Sequence, residues 1–170
     1  PDLGRTIDRH YTDSDLAVAE WTKTIIEDPS VENETEAYLH ALSQGIRGEF
    51  QYVQRHEHGV QSPEETLKLG SGSCRDYALL MMEAARGVGL ATRFVTGYIY
   101  DPAIDGAEDG VTGAGFTHAW VQVYLPGPGW LEFDPTNGGA GGHNLVPIAV
   151  AREPAQAVPI SGTFLGKTND

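Results

Sequence analysis

Three residues in this chain form the set needed for acyl transfer through sulfur: a cysteine opening a helix, a histidine opening a strand and an aspartate closing the next strand. Cys74 is the single cysteine among 170 residues. It lies in Gly70-Ser71-Gly72-Ser73-Cys74-Arg75-Asp76-Tyr77. A lone thiol forms neither an intrachain disulfide nor a thiolate-rich metal site, which leaves burial or chemistry. Position favours chemistry, because unsatisfied N–H groups and the positive end of the macrodipole at a helix start stabilise a thiolate, the nucleophilic form. Attack by sulfur on a carbonyl also needs a base, and the base needs a partner that fixes its tautomer.

Six histidines are available. His10 and His40 lie on or near expected helices and read as surface residues. His56 and His58 flank Glu57, but no third ligand stands at a telling spacing, so no metal is expected. His143 sits among glycines and reads as solvated. His118 differs, since it begins the alternating run Thr117-His118-Ala119-Trp120-Val121-Gln122-Val123. Alternation puts His118, Trp120, Gln122 and Tyr124 on one face and Ala119, Val121, Val123 and Leu125 on the other, core-facing one. The next strand splits Leu131 and Phe133 from Trp130, Glu132 and Asp134.

Placing Leu131 and Phe133 beside Val121 and Val123 requires paired residue numbers with an even sum, such as 254. Asp134 then opposes Trp120 and lies diagonally from His118 on the same face, about 7–8 Å away at the backbone. An odd sum would separate them onto opposite faces. The even register demands a three- or five-residue loop, or a bulge, around Pro126 to Gly129. Taken singly, a helix cysteine, a strand histidine and an aspartate before proline are ordinary structural features. Together they complete a thiol acyl-transfer site.

The elements that must position them follow from capping and period. A helix is expected over 15–26, capped by Asp13 or Ser14, with Leu16, Ala19 and Ile26 among its apolar positions. A second covers 35–47, starting at Asn33 or Glu34, with Ala37, Leu39, Ala41, Leu42 and Ile46 apolar. Ser62-Pro63-Glu64-Glu65 combines an N-cap with proline at the first helical position. Ser73 and Asp76 form a second capping box, which puts Cys74 in a first turn independently of its chemistry. That helix carries Tyr77, Leu80, Met81, Ala84 and Ala85 at 3–4 spacing. Strands are expected over 50–53, 92–100, 117–125 and 130–134. Segment 101–115 reads as a long loop suited to a lid or binding role, and 138–142 as flexible. Segment 145–170 reads as an extended tail along a sheet edge or over the surface. Helices first and strands later indicate a single α+β domain over 1–170, with N-terminal helices packed on a mostly antiparallel sheet.

The 24 acidic against 11 basic residues give a formal charge of −13, which disfavours nucleic acid and anionic membrane as partners. No apolar run reaches the roughly 18 residues of a membrane span, and no signal peptide is visible. The opening Pro1 suggests a piece of a longer protein. One unpaired cysteine suits a reducing compartment, so a cytoplasmic location is expected. No cofactor is expected, and the oligomeric state is open.

Four pieces, G-S-G-S-C-R-D-Y-A, R-G-V-G-L-A-T-R-F-V-T-G-Y, T-H-A-W-V-Q-V-Y and G-W-L-E-F-D-P-T-N, resemble the transglutaminase-like superfamily, a branch of the papain-like cysteine enzymes. With Ser62 to Leu69 and the tail's V-P-I-S-G, the likeness covers about two-thirds of the chain. It implies a papain-like core with the nucleophile at a helix N-terminus, and it maps nucleophile, base and orienting acid onto Cys74, His118 and Asp134. Where many relatives carry G-R-D in the tail, this chain has Ala151-Arg152-Glu153.

The expected chemistry is attack by Cys74 on the amide of a peptide-like or protein substrate. A thioester then forms and passes to water or an amine, with a hydrolase or amidase favoured over a crosslinking enzyme. The Cys74 backbone N–H is one oxyanion donor. A second comes from upstream, with Gln44, Gln51 and Tyr52 as candidates. Trp120, Tyr98 and the 101–115 loop are the expected substrate contacts. Asp76 opposes a nearby thiolate unless it caps Ser73 or pairs with Arg75 or Arg93. The competing readings are a non-catalytic peptide- or protein-binding module on the same fold, and a thiol redox sensor.

Overall fold

The computed structural model describes residues 3–8, 15–28, 34–101, 116–142, 144–158 and 162. The expected loop beyond Asp101, the caps at Asp13, Ser14 and Asn33, His10, His143 and most of the tail past Val158 lie outside the described residues.

Among the described residues five helices precede the main sheet: α1 (Leu3–Ile7), α2 (Asp15–Ile26), α3 (Thr35–Glu49), α4 (Pro63–Leu69) and α5 (Cys74–Gly87). Two short strands, β1 (Gln51–Tyr52) and β2 (Ser71–Gly72), interrupt them. Then come β3 (Thr92–Ile99), β4 (Thr117–Leu125), β5 (Gly129–Asp134), β6 (Gly139–Ala140), β7 (Leu145–Ala151) and a 3-10 turn at Pro154–Ala157. The chain is α+β, with a five-stranded antiparallel sheet ordered β6-β5-β4-β3-β7. The expected edge position of the tail is met by β7, and the segment expected to be flexible supplies β6.

Helix α5 is the centre of the packing. Every residue from Asp76 to Arg86 is buried, and Glu83 and Arg86 pair at 2.9 Å inside. Leu80, Met81 and Ala84 meet Leu39, Leu42 and Ile46 of α3 and Phe94, Val121, Val123 and Phe133 of the sheet in one apolar cluster. Helix α2 turns a different face inward from the one expected: Val18, Thr22 and Ile25 are buried, whereas Leu16 and Ile26 are exposed. This helix is apolar around much of its girth, so 3.6-residue periodicity alone leaves its rotation undetermined. Helix α3 runs two residues past its expected end, because the Phe50 N–H still reaches the Ile46 carbonyl.

Strands β4 and β5 pair Val121 with Phe133, Gln122 with Glu132 and Val123 with Leu131, so the numbers sum to 254. Leu125 pairs with Gly129, leaving Pro126-Gly127-Pro128 as a three-residue loop. Gly127 (φ 102°) and Gly129 (φ 86°) supply the left-handed backbone that closes it.

Candidate active site

Cys74 is the first residue of α5, behind the N-cap Ser73. Strands β1 and β2 form a parallel pair just ahead of it, with Gln51 beside Ser71 and Tyr52 beside Gly72. That pair carries the tyrosine to the helix start. The cysteine is half-buried.

His118, at the start of β4, and Asp134, at the end of β5, are both buried. His118 Nε2 lies 3.0 Å from Asp134 Oδ2. The carboxylate is itself fixed: Oδ1 accepts from the Thr136 N–H at 2.9 Å, and Oδ2 accepts from Asn137 Nδ2 at 2.7 Å. Helix α3 holds this turn from behind. Ser43 Oγ donates to the Asp134 carbonyl at 3.2 Å and Arg47 Nη1 to the Asn137 carbonyl at 2.8 Å. Four residues apart, Ser43 and Arg47 share one helix face.

With Nε2 engaged, Nδ1 is the nitrogen left for the thiol. Nδ1 is buried and has no hydrogen-bond partner, and Cys74 is among the groups that raise the ring's titration. Burial, the largest single influence on His118, disfavours its charged form. The hydrogen bond and charge of Asp134 and the proximity of Cys74 together outweigh it, and the imidazole is raised to about 9. Burial likewise pushes the Asp134 carboxyl up, but His118, Asn137 and the Thr136 N–H hold it below its ordinary value. At neutral pH the pair is imidazolium and carboxylate.

Among the three upstream oxyanion candidates, Gln44 and Gln51 are exposed and Tyr52 is half-buried. Burial first, then the charges of Cys74 and Asp134, raise the Tyr52 phenol to about 12. It therefore stays a neutral proton donor beside the sulfur.

Trp120 corrects an expectation. It is 0% exposed and offers no surface to a substrate. Its ring stacks behind His118 at 6.1 Å, and its indole N–H donates to Glu132 at 3.2 Å. Tyr98 is 53% exposed, and it pairs with Thr117 one position beyond the Gly97–His118 pair. It borders the histidine end of the sheet.

Asp76 meets the first of its expected alternatives and differs in its cationic partner. It caps Ser73, accepting from the backbone N–H at 2.8 Å and the hydroxyl at 2.7 Å. Its cationic partner is Arg55 at 2.8 Å, instead of Arg75 or Arg93. Arg93 stacks on Trp130 at 3.7 Å, and Arg75 donates to the carbonyls of Arg55 and Glu57. Sequence reasoning overlooked Arg55, a loop residue with no periodic or motif signal. Asn137 was within reach of it, since an aspartate that bonds two and three residues onward is a recognisable turn device in Asp-Pro-Thr-Asn. Among the described residues no cluster of three or more histidine, cysteine, aspartate or glutamate side chains could hold a metal.

A family model described as the transglutaminase-like superfamily matches residues 21–135. The chain is 29% identical over 127 residues to an uncharacterised protein of Mycobacterium leprae, covering 75% of this chain and 44% of that one. Its structure is similar to that of a candidate cysteine protease from Cytophaga hutchinsonii, with a TM-score of 0.69 at 20% identity, over 92% of this chain and 49% of that one. It is also similar to the ethylmercury-bound periplasmic domain of TgpA from Pseudomonas aeruginosa, with a TM-score of 0.58 at 24% identity, over 80% and 49% of the two chains. At these identities the structural likeness concerns the fold. The chain spans just under half the length of each of these longer relatives.

Proposed function

The chain belongs to the transglutaminase-like superfamily, and from that premise we propose that it is a cysteine-dependent enzyme acting on amide bonds of peptide or protein substrates. The observation that carries this reading is the 3.0 Å hydrogen bond between His118 Nε2 and Asp134. It leaves the other ring nitrogen to a cysteine at a helix start.

In the proposed reaction the Cys74 sulfur attacks the substrate carbonyl carbon, and the carbonyl oxygen becomes an oxyanion. The Cys74 N–H and the Tyr52 hydroxyl donate to that oxygen. Collapse breaks the C–N bond as His118 gives its proton to the departing amine, leaving a thioester. Water then attacks the thioester carbonyl with His118 as base. The C–S bond breaks and the thiolate–imidazolium pair returns. An amine in place of water would transfer the acyl group instead; we favour water. Asp134 keeps the ring oriented and its charged form stable throughout. Tyr98 is the proposed substrate contact.

The test is intact-mass analysis of the chain after acid quench from a panel of peptide esters and amides, with and without an amine acceptor. An acyl adduct on Cys74 is expected, absent in Cys74→Ala and formed at least about 100-fold more slowly in His118→Ala. Turnover that survives Cys74→Ala contradicts the reading. No adduct across the panel, with peptides still bound, favours a binding module.

A further inference from the structure

We propose that Arg55 is a positioning residue for the nucleophile: by neutralising the buried Asp76 it removes the negative charge that would otherwise oppose ionisation of Cys74. This rests on the reading of Cys74 as the attacking group.

Asp76 is 0% exposed and lies two residues after Cys74, in the same helical turn. Its carboxylate receives four donors. Three are neutral: the Ser73 N–H at 2.8 Å, the Ser73 hydroxyl at 2.7 Å and the Gln61 N–H at 2.7 Å. The fourth is Arg55 Nη1 at 2.8 Å. Neutral donors satisfy lone pairs without cancelling charge, so only Arg55 balances the ion. A second negative charge on a sulfur in the same helical turn would otherwise meet the repulsion of an unbalanced like charge. The helix N-terminus offsets only about half a charge.

The surroundings leave this task to Arg55. Cys74 acts on His118 from β4 and Tyr52 from β1, and the other charged groups that act on these two are Asp134 from β5 and Arg75 and Asp76 on α5 itself. The Arg75 guanidinium is engaged by the carbonyls of Arg55 and Glu57. In doing so it clamps the 55–57 loop against the helix and holds Arg55 in reach of Asp76. Arg55 has a second partner, Glu57, at 3.7 Å. Glu57 is 72% exposed there, which makes that contact weak. Gly72 tightens the same corner. A side chain on it would meet Asp76 and Tyr77 at 3.0 Å and Gln61 at 3.3 Å.

The experiment is the rate of iodoacetamide labelling against pH, read by intact mass. With one cysteine in the chain, every adduct reports on Cys74. Arg55→Gln is expected to label about tenfold more slowly at pH 6, with its profile moved toward alkaline pH. Arg55→Lys should recover most of that loss, and Glu57→Gln should label like the native chain. The double variant Arg55→Gln/Asp76→Asn, which removes both charges, should return to the native profile. It carries the test if Arg55→Gln alone does not fold, and an alkaline-shifted double variant overturns the proposal. So does a folded Arg55→Gln with the native profile, or an equal shift in Arg55→Gln and Arg55→Lys. Failure of the nucleophile reading has a separate signature, a native chain that labels only at alkaline pH.

Discussion

Asp134 acts on His118 by charge as well as by orientation, and the two can be separated. Asp134→Asn keeps the size and one oxygen for the Thr136 N–H, but gives up the acceptor that faces His118 and Asn137 and the charge that raises the imidazole to about 9. Because the proton on His118 is the one given to the leaving group, the alkaline limb of turnover is expected to start falling well below pH 9 in this variant. The rate itself should drop about 10²- to 10⁴-fold. A pH–rate profile checks both, and an alkaline limb left in place would separate Asp134 from the titration of His118. At this scale much was legible beforehand. Cys74 announced itself by its helix-start position, and His118 and Asp134 by strand alternation. Arg55 did not, because its partner stands 21 residues onward and is reached only through the fold. Trp120 was placed on the correct face but misassigned to substrate, since alternation gives a side and not its accessibility.

At the scale of elements, the register of β4 and β5 is decided by burying Val121, Val123, Leu131 and Phe133 on one side, which carries His118 and Asp134 to the other. Parity reasoning could find this because the side-chain period of a strand is two. It could not find the rotation of α2, whose buried stripe is chosen by contact with α5. Nor could it find the bulge between Thr96 and Gly97, where β3 meets β7. Gly97 pairs with His118 across β4. A methyl there would run into the Val146 carbonyl and come within 2.9 Å of the Trp120 ring and 3.0 Å of Pro147. Gly97→Ala is therefore expected to destabilise the fold by about 3 kcal/mol or more in urea unfolding. A change under about 1 kcal/mol would mean that β7 yields easily at this point.

Across the whole molecule, the net charge of −13 sets a surface, and the buried His118–Asp134 pair sets the pH dependence of stability. The unfolded histidine titrates at about 6.5, whereas in the fold it keeps its proton to about 9. The stability it lends is complete below about pH 6.5 and is lost as pH rises through 9. Asp134, held low, works the other way: its contribution is present above about pH 4 and disappears as pH falls through its folded value. In the native chain a Cys74 thiolate titrates in the opposite sense and offsets this loss, so the decline in denaturant-measured stability as pH rises above about 6.5 is expected in Cys74→Ala, where the imidazole is still held up by Asp134. Adding His118→Ala to that variant should flatten it; a Cys74→Ala chain with no decline would contradict the raised imidazole. No helix among the described residues is long and apolar enough to cross a membrane.

The most direct measurement of the active-site assignment compares iodoacetamide labelling of native Cys74 and of His118→Ala from pH 4 to 10. If His118 holds the thiolate as an ion pair, the native chain labels rapidly well below pH 7, and the variant labels only near the ordinary thiol value of about 8.5. Coincident profiles for the two proteins would show that the sulfur and the imidazole do not act together.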